Sequence, residues 1–451
     1  MRAVLAIAWN LLVETARKRS ALVFILLLSG FAIALPFALE GEGTLRSRLQ
    51  ATVTYGAGLP VFAISLATVF LSSGAISLDL QRRRLHGIAT KPVTRLSILA
   101  GKLLGIVALD AVLLGAIFAA VGAHVALGGA RARGEGDELR AAEDRFFQPR
   151  RAVHAAPRTP TDEEVRRLVE SLAAVDAHDH RGAIPIETAA RRSLSMHRIE
   201  PGSTAEIRFE GMGPCPPGSL IFVRYALFAS PPAEAGRIQC EWTAAVRGGE
   251  ALRIAPPAEP PGIPREIAVP AELVEGGVLR LSLESPARSG LTIFADPERI
   301  EALPVEGGFW RNGGVGFAAV LGRLVLLAAL GLLAGSLFGF PTACLFTGFI
   351  YCVGAGSSFL GEVFTEYSSG VGSTLPDALG RVLSSVGLVV LDALPNFAGI
   401  DPIEKISDGR AIPLAELVQA LAWTACLPTA LAIGAAALVL GRRELERGGW
   451  E

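Results

Sequence analysis

Long uncharged stretches alternate along this chain with short charged ones, and one extended polar block interrupts them. A bilayer core takes about 20 apolar helical residues to cross. Ser20–Leu39 and Ala51–Leu78 reach that length without a charge, and Leu103–Leu127 does so with Asp110 inside it. Leu324–Phe340 qualifies with Arg323 at the interface, and Thr342–Gly361 and Leu417–Gly441 complete six candidate spans. The pattern predicts an all-α polytopic membrane protein with six transmembrane helices. Arg17, Lys18, Arg19, Arg82, Arg83, Arg84, Lys91, Lys102, Arg442 and Arg443 all fall on the side that holds both termini. The short loops opposite carry only Arg46, Arg48, Arg381, Lys405 and Arg410. Cytoplasmic loops collect Lys and Arg, so the expected orientation is N-in and C-in.

Two segments depart from simple spans. Within residues 1–19, Val4, Ala8, Leu11 and Thr15 share one helical face, while Arg2, Asn10, Glu14, Arg17 and Lys18 favour the other. This fits an amphipathic helix in the membrane interface, or else an extension of the first span. No cleavable leader is expected, because the first apolar run lacks a small-residue cleavage pattern. Between Arg381 and Asp392 only about ten residues are uncharged, and Pro395 follows, which is too short to cross. Residues 375–395 are expected to dip into the outer leaflet and return.

The polar block sets residues 129–309 apart as an extracytoplasmic α+β domain between spans three and four. A helical part is expected over 131–198, where Thr159 and Pro160 resemble a cap and first-turn pair ahead of Asp162, Glu163 and Glu164. After Glu200 the period changes to two, in Ala205/Ile207/Phe209, Ile238/Cys240/Trp242/Ala244 and Leu279/Leu281/Leu283. Turn-forming GPCPPG, SPPAEAG and APPAEPPG lie between them, which predicts a β-sandwich of jelly-roll kind over 200–304. The domain layout is then 1–19, 20–128 with a cytoplasmic loop at 77–102, 129–309, 310–441, and a cytoplasmic tail at 442–451.

Composition agrees. The 451 residues are 51% hydrophobic and only 19% charged, below the roughly one quarter usual for soluble proteins. The net charge of −1 and the absence of a basic domain give no support to nucleic-acid binding. Cys215 and Cys240, the cysteines of the polar block, lie in an oxidising compartment under the expected topology. They form a disulfide, or Cys240 is a buried free thiol in the inward row with Ile238 and Trp242. Asp176, His178, Asp179 and His180 are consecutive loop residues that converge poorly on one ion, so no metal site is expected.

The loop after the second span carries the densest set of motifs. Asp79 precedes Arg82, Arg83 and Arg84; Lys91-Pro92-Val93-Thr94-Arg95 follows; Gly101-Lys102 then opens the third span. Pro92 disfavours helix in the residue before it and separates two short helical pieces. Such pieces suit a cleft on a soluble motor domain, although positive-inside anchoring also explains the arginines. These motifs, with Leu394-Pro395-Asn396-Phe397, Asp401 and the closing Gly441-Arg442-Arg443-Glu444-Leu445, resemble those of type-2 ABC transporter permeases. The closest likeness is to the six-span branch that includes the nitrous-oxide-reductase maturation and gliding-type permeases. The likeness covers about 1–128 and 310–451 and leaves the sandwich out. Asp79 stands where that family often has Glu, and Arg84-Leu85 where it has Gly-Thr or Arg-Thr. The resemblance implies that Asp79, Arg82, Arg83, Arg84, Lys91, Pro92, Arg95 and Lys102 form the coupling surface for a partner ATPase. It implies an exporter in the plasma membrane, assembled as a homodimer or with a related permease and in contact with membrane lipid. The chain has no G-x-x-x-x-G-K-[ST] loop, so no cofactor is expected to bind it directly and ATP is used by the partner.

Asp110 and His124 are the polar candidates within the third span. An ionisable group at such depth marks a functional site by default, unless Asp110 merely reaches the inner interface near Lys102. Gly331, Gly335 and Gly339 form a helical stripe that suggests close helix packing. The competing class is a membrane-anchored binding or assembly protein whose sandwich takes a carbohydrate or protein partner. No paired His, Ser/Lys or Asp/Asp set lies at one depth, so the chain is not expected to be an enzyme.

Overall fold

A computed structural model of the chain describes residues 2–17, 30, 45–81, 94–131, 148–175, 186–231, 236–245, 251–258, 260–357, 359–361, 363–364, 383–389, 391 and 401–447. These residues fall in two compact units, one containing the long helices and the other running from Gln148 to Gly307. The expected first span Ser20–Leu39 apart from Gly30, the loop residues Arg82, Arg83, Arg84, Lys91 and Pro92, the stretch Asp176–His180, and Leu394–Phe397 lie outside the described residues. Of the expected re-entrant segment 375–395, residues 383–389 and 391 are described, and all are helical.

The helical unit opens with α1 (Arg2–Arg17), followed by α2 (Leu45–Gln81) and α3 (Arg95–Arg131). After the second unit come α6 (Phe309–Leu337) and α7 (Phe340–Ala355). A short α8 (Pro402–Ser407) then precedes α9 (Leu414–Ala420), which continues through a π-turn, Leu421–Cys426, into α10 (Leu427–Arg447). Four of these runs are long and apolar enough to cross a membrane: Arg48–Gln81, Arg95–Leu127, Phe309–Leu337 and Leu414–Arg442. The expected span Thr342–Gly361 begins instead as the 16-residue α7. At 1.5 Å per residue that helix alone is about 24 Å long, and the described residues beyond it, 357, 359–361 and 363–364, are also helical.

The helix expected from Leu324 starts fifteen residues earlier, at Phe309. Arg311, Arg323 and the Gly313-Gly314 pair hide its first half from a hydropathy reading. Tertiary contact supplies what propensity lacks. Asn312 Nδ2 donates to the Arg410 carbonyl at 2.8 Å, and the Ile412 amide donates to Asn312 Oδ1 at 2.9 Å. Leu421 packs against Gly322 from the π-turn, where a Cβ would collide with it. Arg323 therefore lies midway along α6 rather than at an interface-facing start.

In α1 the predicted faces hold. Ala8 and Thr15 are buried with Val4 and Leu11 beside them, while Arg2, Asn10, Glu14 and Arg17 are exposed. The inward face rests on α3, where a Cβ at Gly101 would meet Ile7 Cβ at 2.8 Å and the Val4 carbonyl at 2.9 Å.

The second unit is an antiparallel sandwich of two five-stranded sheets. One has the order β1 (Val153–His154), β10 (Thr292–Leu303), β4 (Leu220–Ser230), β7 (Arg265–Pro270), with β2 (His197–Ile199) also on β10. The other runs β3 (Thr204–Glu210), β9 (Val278–Glu284), β5 (Glu241–Ala245), β6 (Ala251–Ile254), with β8 (Val274–Glu275) on β9. Taking β1 with β2 as one position beside β10, and β5 with β8 as one position beside β9, this is the strand order of a jelly roll. Ile207, Phe209, Trp242, Leu279, Leu281 and Leu283 fill the core as their period-two pattern requires. Strand β4 is not legible in the sequence, because LIFVRYALFAS is an apolar run interrupted by Arg224, with no alternation to mark it.

Two further details depart from the sequence reading. The segment 131–198 is not a separate helical part, since β1 and β2 within it pair with β10. Only α4 (Asp162–Val175) and α5 (Ile186–Ser195) are helical there among the described residues after Arg131. The cap of α4 is Thr161 rather than Thr159. Thr161 Oγ1 accepts from the Glu164 amide at 3.3 Å and Glu164 Oε2 accepts from the Thr161 amide at 3.0 Å, a reciprocal capping box.

His197 gives the sandwich a pH dependence. Burial, opposed by the hydrogen bond to the Ala156 carbonyl and aided by Arg158, holds its imidazole below the ordinary 6.5. The native state thus binds the proton less readily than the unfolded chain. This contribution is complete above about pH 6.5 and is lost as the pH falls toward the depressed native value. Hydrogen exchange in β2 and β3 of the full chain is expected to speed up between about pH 7.5 and 5.5 beyond the intrinsic trend. His197→Gln should remove the excess, and an unchanged excess would assign it to other groups.

Candidate functional site

The ends of α2 and α3 that flank residues 82–93 are tied together by side chains from the predicted coupling set. Thr94, inside the Lys-Pro-Val-Thr-Arg motif, caps α3: its Oγ1 accepts from the Ser97 amide at 3.2 Å, and its carbonyl accepts from the Ile98 amide at 3.1 Å. Two turns on, Lys102 reaches across to α2. Its Nζ donates to the Ala75 carbonyl and forms an ion pair with Asp79, with the lysine side chain 8% exposed and the aspartate 22%. Lysine suits this position because its long stem can lie along an apolar groove while the ammonium reaches a partner.

The Gly-Lys pair divides the work. Gly101 admits α1, and Gly105 continues the contact one turn later, where a Cβ would stand 3.0 Å from the Ala8 carbonyl. Arg95, the last residue of the motif, extends to the end of α10, so that a Cβ at Gly441 would meet its Nη1 at 3.3 Å. Asp79, Arg95 and Lys102 are thereby gathered where α1, α2, α3 and α10 converge. Thr94 and Gly105 belong to the same construction and were not singled out from the sequence, although the first is an ordinary N-cap residue.

Asp110 is buried inside the helical unit, 1% exposed within α3. Thr68 Oγ1 lies 3.0 Å from both of its carboxylate oxygens and also 2.9 Å from the Ile64 carbonyl. One hydroxyl proton serves these three acceptors in turn, so the carboxyl group has a thin hydrogen-bond shell for its burial. His124 is half-buried near the end of α3, fourteen residues further on. Along α2, Ser65, Ser72 and Ser77 return their hydroxyl protons to carbonyls four residues back. This polar row faces α6 at Gly331 and Gly335, where added Cβ atoms would collide with Ser72 Oγ and approach the Ser73 carbonyl oxygen to 2.5 Å. Gly339 is not part of the packed stripe; it is the N-cap of α7.

Cys215 and Cys240 are both free thiols. Cys240 is buried in the inward row, and Cys215 Sγ contacts the Gly213 carbonyl at 3.5 Å, with burial pushing its pKa up. Among the described residues no group of three or more His, Cys, Asp or Glu gathers as a metal site. Two cavities open within the helical unit. One, of about 290 Å³, is apolar and lined by α2, α3, α6 and α8. The other, of about 570 Å³, contains Arg323.

These features define a mainly helical chain with four apolar helices of membrane-spanning length and a separate antiparallel sandwich, a composition compatible with a multi-pass membrane protein. Comparison with protein-family models, curated proteins and solved structures finds no match to the chain.

Proposed function

We propose that the chain is the transmembrane permease subunit of an ABC transporter, coupling ATP hydrolysis by a separate ATPase subunit to outward movement of a substrate. In this reading the protein lies in the plasma membrane with six spans, both termini and residues 82–93 in the cytoplasm, and the sandwich outside. Two copies, or one copy and a related permease, face two ATPase subunits. The observation that carries the reading is the bracing around Lys102. A loop that receives force from a motor must be fixed to the helices it moves. Here the Lys102 bridge to Asp79 and Ala75 joins α2 to α3, Gly101 and Gly105 seat α1, and Arg95 reaches α10. Displacing the loop would then shift four helices together. Arg82, Arg83 and Arg84 at the exit of α2 supply cations for an acidic docking cleft.

The test is recovery of an ATPase with the tagged full chain from its native membranes. Co-elution is expected, and Arg83→Glu with Arg95→Glu should reduce it about tenfold, equivalent to about 1.4 kcal/mol, without lowering the amount of chain in the membrane. Undiminished recovery of the partner would remove the loop from the interface. The topology has its own check. A cysteine introduced at Gly448 should resist impermeant reagents in intact cells, and labelling there would overturn the cytoplasmic placement of the C-terminus.

A further inference from the structure

Arg323 sits at the fifteenth of the 29 positions of α6, on the wall of the cavity of about 570 Å³ bounded by α2, α6, α7 and α8. Its Nη2 is buried without a hydrogen-bond partner among the described residues, and no carboxylate there comes within the 4.0 Å of an ion pair. Asp401, on the same lining, is turned away to cap α8, accepting from the Ile403 amide at 3.0 Å and the Glu404 amide at 3.3 Å. A guanidinium has five donors in a planar fork and does not lose its proton, so it cannot escape the cost of burial by neutralising. An oxygen anion in the cavity would answer that need through a bidentate, charge-assisted contact.

The rest of the wall narrows the chemistry. Phe62, stacked on Tyr351 at 6.0 Å between centroids, and Leu59, Leu324 and Leu327 offer an apolar flank. Against the one arginine stand two carboxylates, Asp401 and Glu404. A dianionic phosphomonoester would meet stronger repulsion from them than a singly charged phosphodiester. Both the volume and the mixture of apolar wall with a few polar groups fall in the usual range for small-molecule sites.

We propose that this cavity binds an amphiphile bearing a phosphodiester, with the phosphate on Arg323 and the apolar portion along Phe62, Leu324 and Leu327. The site belongs to this chain alone and does not depend on an ATPase partner.

The experiment is native mass spectrometry of the full chain purified in maltoside, with four added probes. They are dioleoylphosphatidylglycerol, dioleoylphosphatidic acid, dioleoylglycerol, and the chain-free headgroup glycerophosphoglycerol. Phosphatidylglycerol is expected to be retained at least about tenfold better than dioleoylglycerol, with phosphatidic acid between them. Arg323→Gln should bring phosphatidylglycerol down to the dioleoylglycerol level. Gly58→Leu provides a variant that keeps the arginine. Gly58 lines the cavity, and a Cβ there meets nothing within 4 Å, so leucine fills the space without displacing a neighbour. It should abolish retention while leaving the thermal midpoint at or above that of the parent chain, since leucine is the better helix former. Headgroup binding equal to that of the lipid would identify a water-soluble phosphodiester as the natural source, and binding only with chains would identify a membrane lipid. Equal retention of phosphatidylglycerol and dioleoylglycerol, or full retention by Gly58→Leu, would overturn the proposal.

Discussion

Asp79→Ala is expected to destabilise the helical unit by about 3 kcal/mol, because it strips the counter-charge from a lysine whose side chain is only 8% exposed. The Ala75 carbonyl still accepts from Lys102 in the variant, but a neutral acceptor does not replace a carboxylate. The loss should therefore approach the lower end of the range for a broken buried ion pair, since Asp79 itself keeps 22% exposure. The double change Asp79→Ala with Lys102→Met should recover most of it, because the apolar stem of methionine lies in the same groove without a charge to satisfy. Thermal unfolding in detergent of the two single variants and the pair gives the coupling directly. Additive losses would mean that the two residues act independently. A stable Asp79→Ala would mean that the bracing at the base of the loop is not structural, and the observation behind the permease reading would go with it.

The second large effect belongs to the α2–α6 contact. Gly335→Ala should cost about 3 kcal/mol, at the upper end for an overpacked site. The added Cβ would stand 2.5 Å from the Ser73 carbonyl oxygen, a backbone atom that cannot rotate aside. Gly331→Ala is expected to cost a similar amount, because the new Cβ would collide with the Ser72 hydroxyl and stand 2.7 Å from Ser72 Cβ, and a rotamer change moves only the hydroxyl, at the expense of its bond to the Thr68 carbonyl. Gly348→Ala on α7 is the control: nothing lies within 4 Å of the new Cβ, and alanine favours helix, so it should be neutral or stabilising. Midpoints that rank Gly335 as no worse than Gly348 would show that the two helices do not depend on close backbone approach.

Both effects bear on how the chain works. Small residues let α2 and α6 approach at backbone distance, and Ser65, Ser72 and Ser77 on α2 bond their hydroxyls within their own helix. That contact needs no interhelical polar bond. A polar contact that crosses between helices, Thr68 to Asp110, joins α2 to α3. The Lys102 bridge joins the same two helices at their loop-proximal ends. Thus α2 and α3 are linked by polar groups at two levels, an arrangement suited to moving as one piece.

Period and charge in the sequence determined much of this. Uncharged runs longer than a bilayer core pointed to long helices, because a helix pairs its own backbone groups in an apolar medium. The strict alternation at 205–209 and 279–283 could bury one face only as strands. The faces of α1 followed from spacing alone. The tertiary structure decided what local pattern does not encode. The early start of α6 depends on Asn312 holding the 410–412 backbone, a contact nearly one hundred residues away in sequence. Strand β4 is a strand because β10 and β7 flank it with unpaired backbone, not because of any alternation of its own. Arg323 reads in the sequence as a residue at the edge of a span. Only the packing of α2, α7 and α8 around it makes it the cation of a cavity, because its burial and the lack of a hydrogen-bond partner for its Nη2 among the described residues depend on neighbours that the local sequence does not specify.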